Sequence, residues 1–382
     1  MSAWNLACWL RDQGHEVGVL TAAPTDGDVA QGEMVDGLRI WRLKTPHIYP
    51  MKAFGNASGW QKPIWHLQDH FDPRNVALVN RVLDEFQPEH VNIHIAQGLG
   101  HNILSCFKQR QTSVVMFMHD LTLACIKTGM FKDGHNCKTQ CITCAASSKV
   151  KFQNMKGIKK LGFCSPSRAN LETAARFFPL KQYKHASIMN ANKYPPATEE
   201  RVPSQRLRFL YAGRIHNSKG TDLLLKVLSE LSASHDFTLT IAGHGPDEAR
   251  LRAEYGGEPW CDFKGFVPQT TLSNLMINSD LLCIPSSWAE NSPGVVIHGL
   301  GLGLPVLGSD IGGIPELVED GKNGALLPAD DYSAWKNELT QLLTDSSSID
   351  QWRAYAEANK ARFDRDEIGR SIFQFIKDVR ME

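Results

Sequence analysis

Short apolar runs of strand length alternate with segments of helical periodicity along nearly the whole chain, and the alternation breaks only once. Leu6 to Gln13 carries apolar residues at helical spacing and stops at Gly14. Glu16-Val-Gly-Val-Leu-Thr21 follows as a strand of the buried parallel kind. Leu38 to Leu43 alternates as an edge strand would, and Val76 to Phe86 is helical. His90-Val-Asn-Ile-His94, Ser113-Val-Val-Met-Phe-Met-His119 and Lys160-Leu-Gly-Phe-Cys-Ser165 read as further strands. The break is Tyr194-Pro-Pro-Ala-Thr-Glu-Glu-Arg-Val-Pro-Ser-Gln-Arg206, whose prolines and charges mark a linker. The pattern then restarts, with strands at 207–212, 237–242, 280–284 and 305–308 and helices at 221–233, 246–253 and 294–302. More helices occupy about 331–380. The chain's 382 residues are too many for one ordinary core, and its pattern runs through twice. That predicts an α/β architecture of two Rossmann-like, doubly wound domains facing a central cleft. We expect residues 1–193 to form the first domain, 194–206 the linker and 207–364 the second. The amphipathic segment 365–382 is expected to complete the first.

Lysine plus arginine equals aspartate plus glutamate at 41 each, so no global field selects nucleic acid as a partner. No apolar run is long enough to span a bilayer. Met1-Ser-Ala-Trp-Asn-Leu-Ala has neither the basic nor the apolar region of a secretory signal, so a cytoplasmic protein is expected.

Ligands of doubly wound sheets bind beyond the carboxyl ends of the strands. There Phe209-Leu-Tyr-Ala-Gly213-Arg214-Ile-His-Asn-Ser-Lys219-Gly220 runs from strand into a glycine turn. Arg214 and Lys219, five residues apart at a helix entrance, could clamp a diphosphate. On spacing alone a solvated loop is an equal reading. In Trp288-Ala-Glu290-Asn-Ser-Pro-Gly-Val-Val-Ile-His298, Ser292 is a natural N-cap and Pro293 a natural first helical residue. The amides of Gly294, Val295 and Val296 would then offer an anion site. Glu290 could accept hydrogen bonds from sugar hydroxyls, or be an ordinary surface acid. Gly312 and Gly313 let backbone approach a ligand closely.

Taken in order, these residues resemble the glycosyltransferase family 4 signature on the GT-B fold, closely over about 205–330 and more loosely before it. The resemblance implies a retaining glycosyltransferase that moves a sugar from a nucleotide-diphosphate donor to a glycan, lipid-linked or small-molecule acceptor. It implies no cofactor for the chemistry itself. Gly213-Arg214 and Lys219-Gly220 would hold the donor diphosphate, and Glu290 would touch the sugar. The second carboxylate of the family's E-x7-E segment, which holds the ribose, is replaced here by His298. His119, in Phe117-Met-His119-Asp120, falls where the family places a histidine near the reacting sugar. Gly14-His15-Glu16-Val17 matches the turn after the family's first helix. The strand and glycine-rich loop that precede that helix in the family find no counterpart, because Met1 lies almost at the helix. A non-catalytic sugar-nucleotide-binding protein and a sugar-nucleotide epimerase are the other activities this fold admits. Membrane-face glycan synthesis, with peripheral association at the inner face, is what the resemblance suggests for location.

Four of nine cysteines crowd together as Cys125, Cys137, Cys141 and Cys144, a C-x11-C-x3-C-x2-C spacing compact enough for a structural zinc. His135 is an alternative ligand, and reduced, unliganded thiols are the competing reading.

Overall fold

A computed structural model describes residues 2–132 and 134–381. The N-terminal half begins with α1 (Ser2–Asp12), β1 (Gly18–Ala22), β2 (Ala30–Val35) and β3 (Leu38–Leu43). Next come α2 (Gln61–Phe71), α3 (Pro73–Phe86), β4 (His90–Ile93) and β5 (Ser113–Phe117). It closes with the hairpin β6 (Phe131–Lys132) and β7 (His135–Asn136), then α4 (Ile142–Met155), β8 (Leu161–Ser165), α5 (Arg168–Ala175) and β9 (Lys184–Ser187). The strands of this half fall into two main sheets, β1-β3-β2 and the parallel β4-β5-β8-β9. The Leu38–Leu43 strand, expected at an edge, is central: β1 pairs with it in parallel and β2 antiparallel. Its alternation reports which side chains are buried, not how many neighbours the strand has.

The C-terminal half runs β10 (Leu207–Ala212), α6 (Thr221–Leu231), β11 (Phe237–Ala242), α7 (Glu248–Tyr255), β12 (Cys261–Gly265) and α8 (Gln269–Ile277). It continues through β13 (Leu281–Ile284), α9 (Gly294–Gly301), β14 (Val306–Ser309) and β15 (Gly324–Leu327) to α10 (Tyr332–Thr344) and α11 (Ser347–Asn359). Its six strands form one parallel sheet in the order β12-β11-β10-β13-β14-β15, the order of succession reversing between β10 and β13. Apolar side chains bury both faces: Phe209, Leu239 and Trp335 lie in one layer, and Leu210, Leu282 and Val296 in the other. The last helix, α12 (Arg365–Arg380), returns to the N-terminal half. There Ile368, Ile372 and Phe375 pack with Trp9, Val115 and Phe117.

Candidate active site

The reversal between β10 and β13 leaves a crevice at the carboxyl edge of the sheet, and the loops leaving both strands meet in it. The turn after β10 reaches Gly220, whose φ is +70° and where a Cβ would sit 1.8 Å from the carbonyl oxygen of Pro285. Only glycine lets this turn lie against the loop that follows β13. Ser218 fastens the two, its carbonyl oxygen accepting from the amides of Ser287 and Trp288, each at 3.1 Å. This contact sets Lys219 Nζ on Glu290 Oε1 as a half-buried ion pair. Ser286 Oγ donates to the same oxygen at 3.0 Å, and the Trp288 ring lies 5.6 Å from Nζ. Arg214, at the start of the turn, is exposed, and its side chain makes no ion pair or hydrogen bond among the described residues.

Gly312 and Gly313 are required by the chain's own backbone, a need their sequence alone does not show. At Gly312 (φ +61°) a Cβ would lie 2.3 Å from the Glu290 carbonyl oxygen, and at Gly313 1.7 Å from that of Asn291. The Gly313 amide donates to Glu290 O at 2.7 Å. The pair buttresses Glu290 from behind.

Two details of α9 also differ from expectation. Pro293 occupies the N-cap position, so Ser292 lies outside the helix and its Oγ is buried without a hydrogen-bond partner. Val296 N donates to Pro293 O at 3.0 Å, which leaves the amides of Gly294 and Val295, of the three expected, without a backbone partner among the described residues. His298 is buried. Its Nε2 lies 3.0 Å from Ser273 Oγ and its ring stacks on Tyr194 with centroids 4.4 Å apart. Burial pushes the imidazole down to about 4. It therefore joins α9 to α8 and the linker, and the ribose contact implied by the family resemblance does not fit this packing.

Across the cleft, His119 leaves β5 with Nε2 2.7 Å from Nδ1 of His94, the two rings stacked at 5.0 Å. Burial lowers His119 to about 4 and His94 to about 3, so both are neutral at pH 7 and one donates to the other. Asn291, which the sequence did not single out, ties the halves here. Its Nδ2 donates to Met118 O at 2.9 Å, and its Oδ1 accepts from Ser167 Oγ at 2.6 Å. Glu290 and His119 are thus each one residue from the same interdomain hydrogen bond. Glu316 makes a second clasp, accepting from the amides of Arg168 and Ala169 at 2.7 and 2.8 Å at the start of α5. A third comes from the β6–β7 hairpin: Phe131 stacks on Trp288 at 5.4 Å, and Asn136 bonds Ser287 O and Ala289 N.

The four crowded cysteines are not gathered as a zinc site. Cys144 and Cys125 are buried with their sulfurs 3.7 Å apart, packed with Ala124 and Met130. Cys137 lies at the margin of that cluster, and Cys141 is exposed at the N-cap of α4. Among the described residues no three His, Cys, Asp or Glu side chains are arranged to hold a metal, His135 included. Apolar packing around Cys125 and Cys144 gathers two sulfurs, and the exposed Cys141 thiol touches that of Cys144 from outside.

Residues 197–359 match the family model described as glycosyl transferases group 1. The amylovoran biosynthesis glycosyltransferase AmsK of Erwinia amylovora is 32% identical over 154 residues, 38% of each chain. A phosphatidyl-myo-inositol mannosyltransferase of Mycobacterium leprae is 28% identical over 173 residues, 44% of this chain and 46% of the relative. The matches therefore span less than half the length of these curated relatives. In fold, the likeness covers both halves. A sucrose-phosphate synthase from Thermosynechococcus elongatus superposes with a TM-score of 0.74 at 18% identity, over 98% of this chain and 92% of its own. Anabaena Alr3699/HepE, in complex with UDP, gives 0.64 at 16%, over 95% and 100%. These likenesses establish a two-domain GT-B fold.

Proposed function

We propose, from a C-terminal segment that matches the group 1 glycosyl transferases, that this chain is a retaining glycosyltransferase. It moves a sugar from a nucleotide-diphosphate donor to a glycan or lipid-linked acceptor. The observation that carries the reading is the Lys219–Glu290 ion pair in the crevice between β10 and β13, held there by Gly220 and by Gly312-Gly313. A diphosphate brings more negative charge to Lys219 than one carboxylate does, so donor binding draws the ammonium onto phosphate and frees Glu290 to accept from sugar hydroxyls. Arg214 and the amides of Gly294 and Val295 complete the anion site. These fixed positive charges stabilise the departing nucleoside diphosphate, a role that a divalent metal fills elsewhere, so no cofactor is required. Neutral His119, oriented by His94, hydrogen-bonds the transferred sugar from the opposite wall. UDP bound to a neighbour of the same fold supports the donor class.

A lipid-linked acceptor suits the surface of α2. Trp60, Ile64, Leu67 and Phe71 are exposed at 66%, 39%, 60% and 57%, and their spacing aligns them along one face of the helix. Between Lys44 and Phe71 the one acid, Asp69, is buried, while Lys44, Lys52 and Lys62 are basic. An apolar stripe among cations fits an anionic lipid surface and supports peripheral association with the inner face of a membrane. No helix among the described residues is long and apolar enough to cross a membrane. Incubating the chain with single nucleotide-diphosphate sugars tests the activity. Slow release of nucleoside diphosphate from at least one donor is expected. A chain that binds donors yet releases none is a binding protein, and one that returns an isomeric donor is an epimerase.

A further inference from the structure

Glycosyl transfer leaves unused a motif whose two thiols touch but differ in exposure: Cys141-Ile-Thr-Cys144, at the start of α4. Cys141 is the N-cap residue of this fourteen-residue helix and its thiol is exposed, with Sγ 3.1 Å from Thr143 Oγ1. Cys144, in the first turn, is buried, and its sulfur lies 3.7 Å from that of a third cysteine, Cys125. One open sulfur and one closed sulfur, three residues apart at a helix N-terminus, form the arrangement in which an attacking thiol is backed by a resolving thiol.

We propose that Cys141 and Cys144 are a redox-active dithiol that exchanges with external disulfides of the glutathione class. The Cys141 thiolate attacks one sulfur of the disulfide, forming a mixed disulfide and expelling one thiolate. Cys144 then loses its proton and attacks the Cys141 sulfur. The protein disulfide forms, and the second glutathione leaves as its thiol with the proton that Cys144 gave up. Overall two protein thiols are oxidised and one external disulfide is reduced to two thiols. The pair sits at the end of the segment that carries the β6–β7 hairpin, whose Phe131 and Asn136 touch the loop holding Glu290. Crowded thiols in a reducing compartment suit transient exchange better than permanent bridges.

The experiment uses the whole chain, reduced, then incubated with oxidised glutathione and quenched by alkylation at low pH for intact-mass and peptide analysis. Wild type is expected to lose two thiols together, with a linked Cys141–Cys144 peptide and little retained glutathione. Cys144→Ser should trap one glutathione on Cys141, and Cys141→Ser should slow the reaction of this segment by about tenfold or more. Three results overturn the proposal. The first is a folded wild type whose Cys141 and Cys144 both stay reduced while other thiols react. The second is a Cys125–Cys144 link in wild type that leaves Cys141 free. The third is a stoichiometric zinc ion released when these cysteines are alkylated. The wild-type peptide map decides the matter even if a variant folds poorly. None of these readouts involves glycosyl transfer, so failure here leaves that reading standing.

Discussion

At Lys219 a carboxylate and a diphosphate compete for one ammonium, and the geometry sets the cost of removing it. Lys219→Ala deletes a charge-assisted bond to phosphate worth about 1.5–3 kcal/mol and leaves Glu290 unpaired beside the incoming anion. Nucleoside diphosphate affinity is therefore expected to fall by at least about tenfold. Arg214→Ala should cost less, because solvent screens an exposed guanidinium. The bare nucleoside should bind all three proteins alike. Calorimetry showing unchanged diphosphate affinity in both variants would move the donor site elsewhere. His298 carries a prediction of the opposite kind. With its imidazole held at about 4 by burial, it stays neutral from pH 5 to pH 8, and donor binding should show no step near the ordinary histidine value of about 6.5. His298→Glu would bury a carboxylate between Tyr194 and Ser273, and a lowered melting temperature is expected. A binding step near pH 6.5 that this variant abolishes would return His298 to the donor.

Elements with strong local signals were legible in the sequence. Leu207–Ala212 and Phe237–Ala242 are legible residue for residue because each is a short run of mainly apolar residues, aromatic in the first and β-branched in the second, closed by glycine. Cys261–Gly265 and Lys184–Ser187 carry no such signal: both are short, both are polar at alternate positions, and only their neighbours in the sheet make them strands. Likewise Glu290 and Lys219 could be named from a motif, but their pairing could not. It depends on Gly220 and Gly313 lying against backbone some 65 and 22 residues away in sequence. The same holds for Asn291 and Glu316, whose partners lie in the other half of the chain. The stripe on α2 belongs to this scale too. Fully burying a large apolar side chain is worth about 1.5–3 kcal/mol, so Trp60→Ser with Leu67→Ser should weaken binding to anionic vesicles by at least about tenfold. Co-sedimentation equal for parent and double variant would show that α2 does not meet lipid.

Over the whole molecule, buried neutral histidines link stability to pH. Burial holds His90, His119 and His298 at about 4 and His94 and His101 at about 3. Each value lies below the unfolded value of about 6.5, so between the two the unfolded chain binds protons that the native chain does not. The stabilisation is complete above about pH 6.5 and is lost as the pH falls toward 4. Each such proton contributes about 1.4 kcal/mol per pH unit, and several act at once against a net stability of about 5–15 kcal/mol. Urea midpoints should drop steeply between pH 6.5 and pH 5, and midpoints flat across that interval would contradict these burial assignments. The two halves are also locked together by Asn291, Glu316 and the β6–β7 hairpin, which brings His119 and the Lys219–Glu290 pair to one cleft. Sugar transfer within that cleft, with the leaving diphosphate and the incoming nucleophile on the same side of the sugar, is the central claim. Proton NMR of donor turnover, following the first free or transferred sugar before it mutarotates, tests it most directly. The account predicts a product with the donor's own anomeric configuration, formed at a rate that Lys219→Ala and Glu290→Gln both lower. A product of inverted configuration, or turnover indifferent to both substitutions, would contradict it.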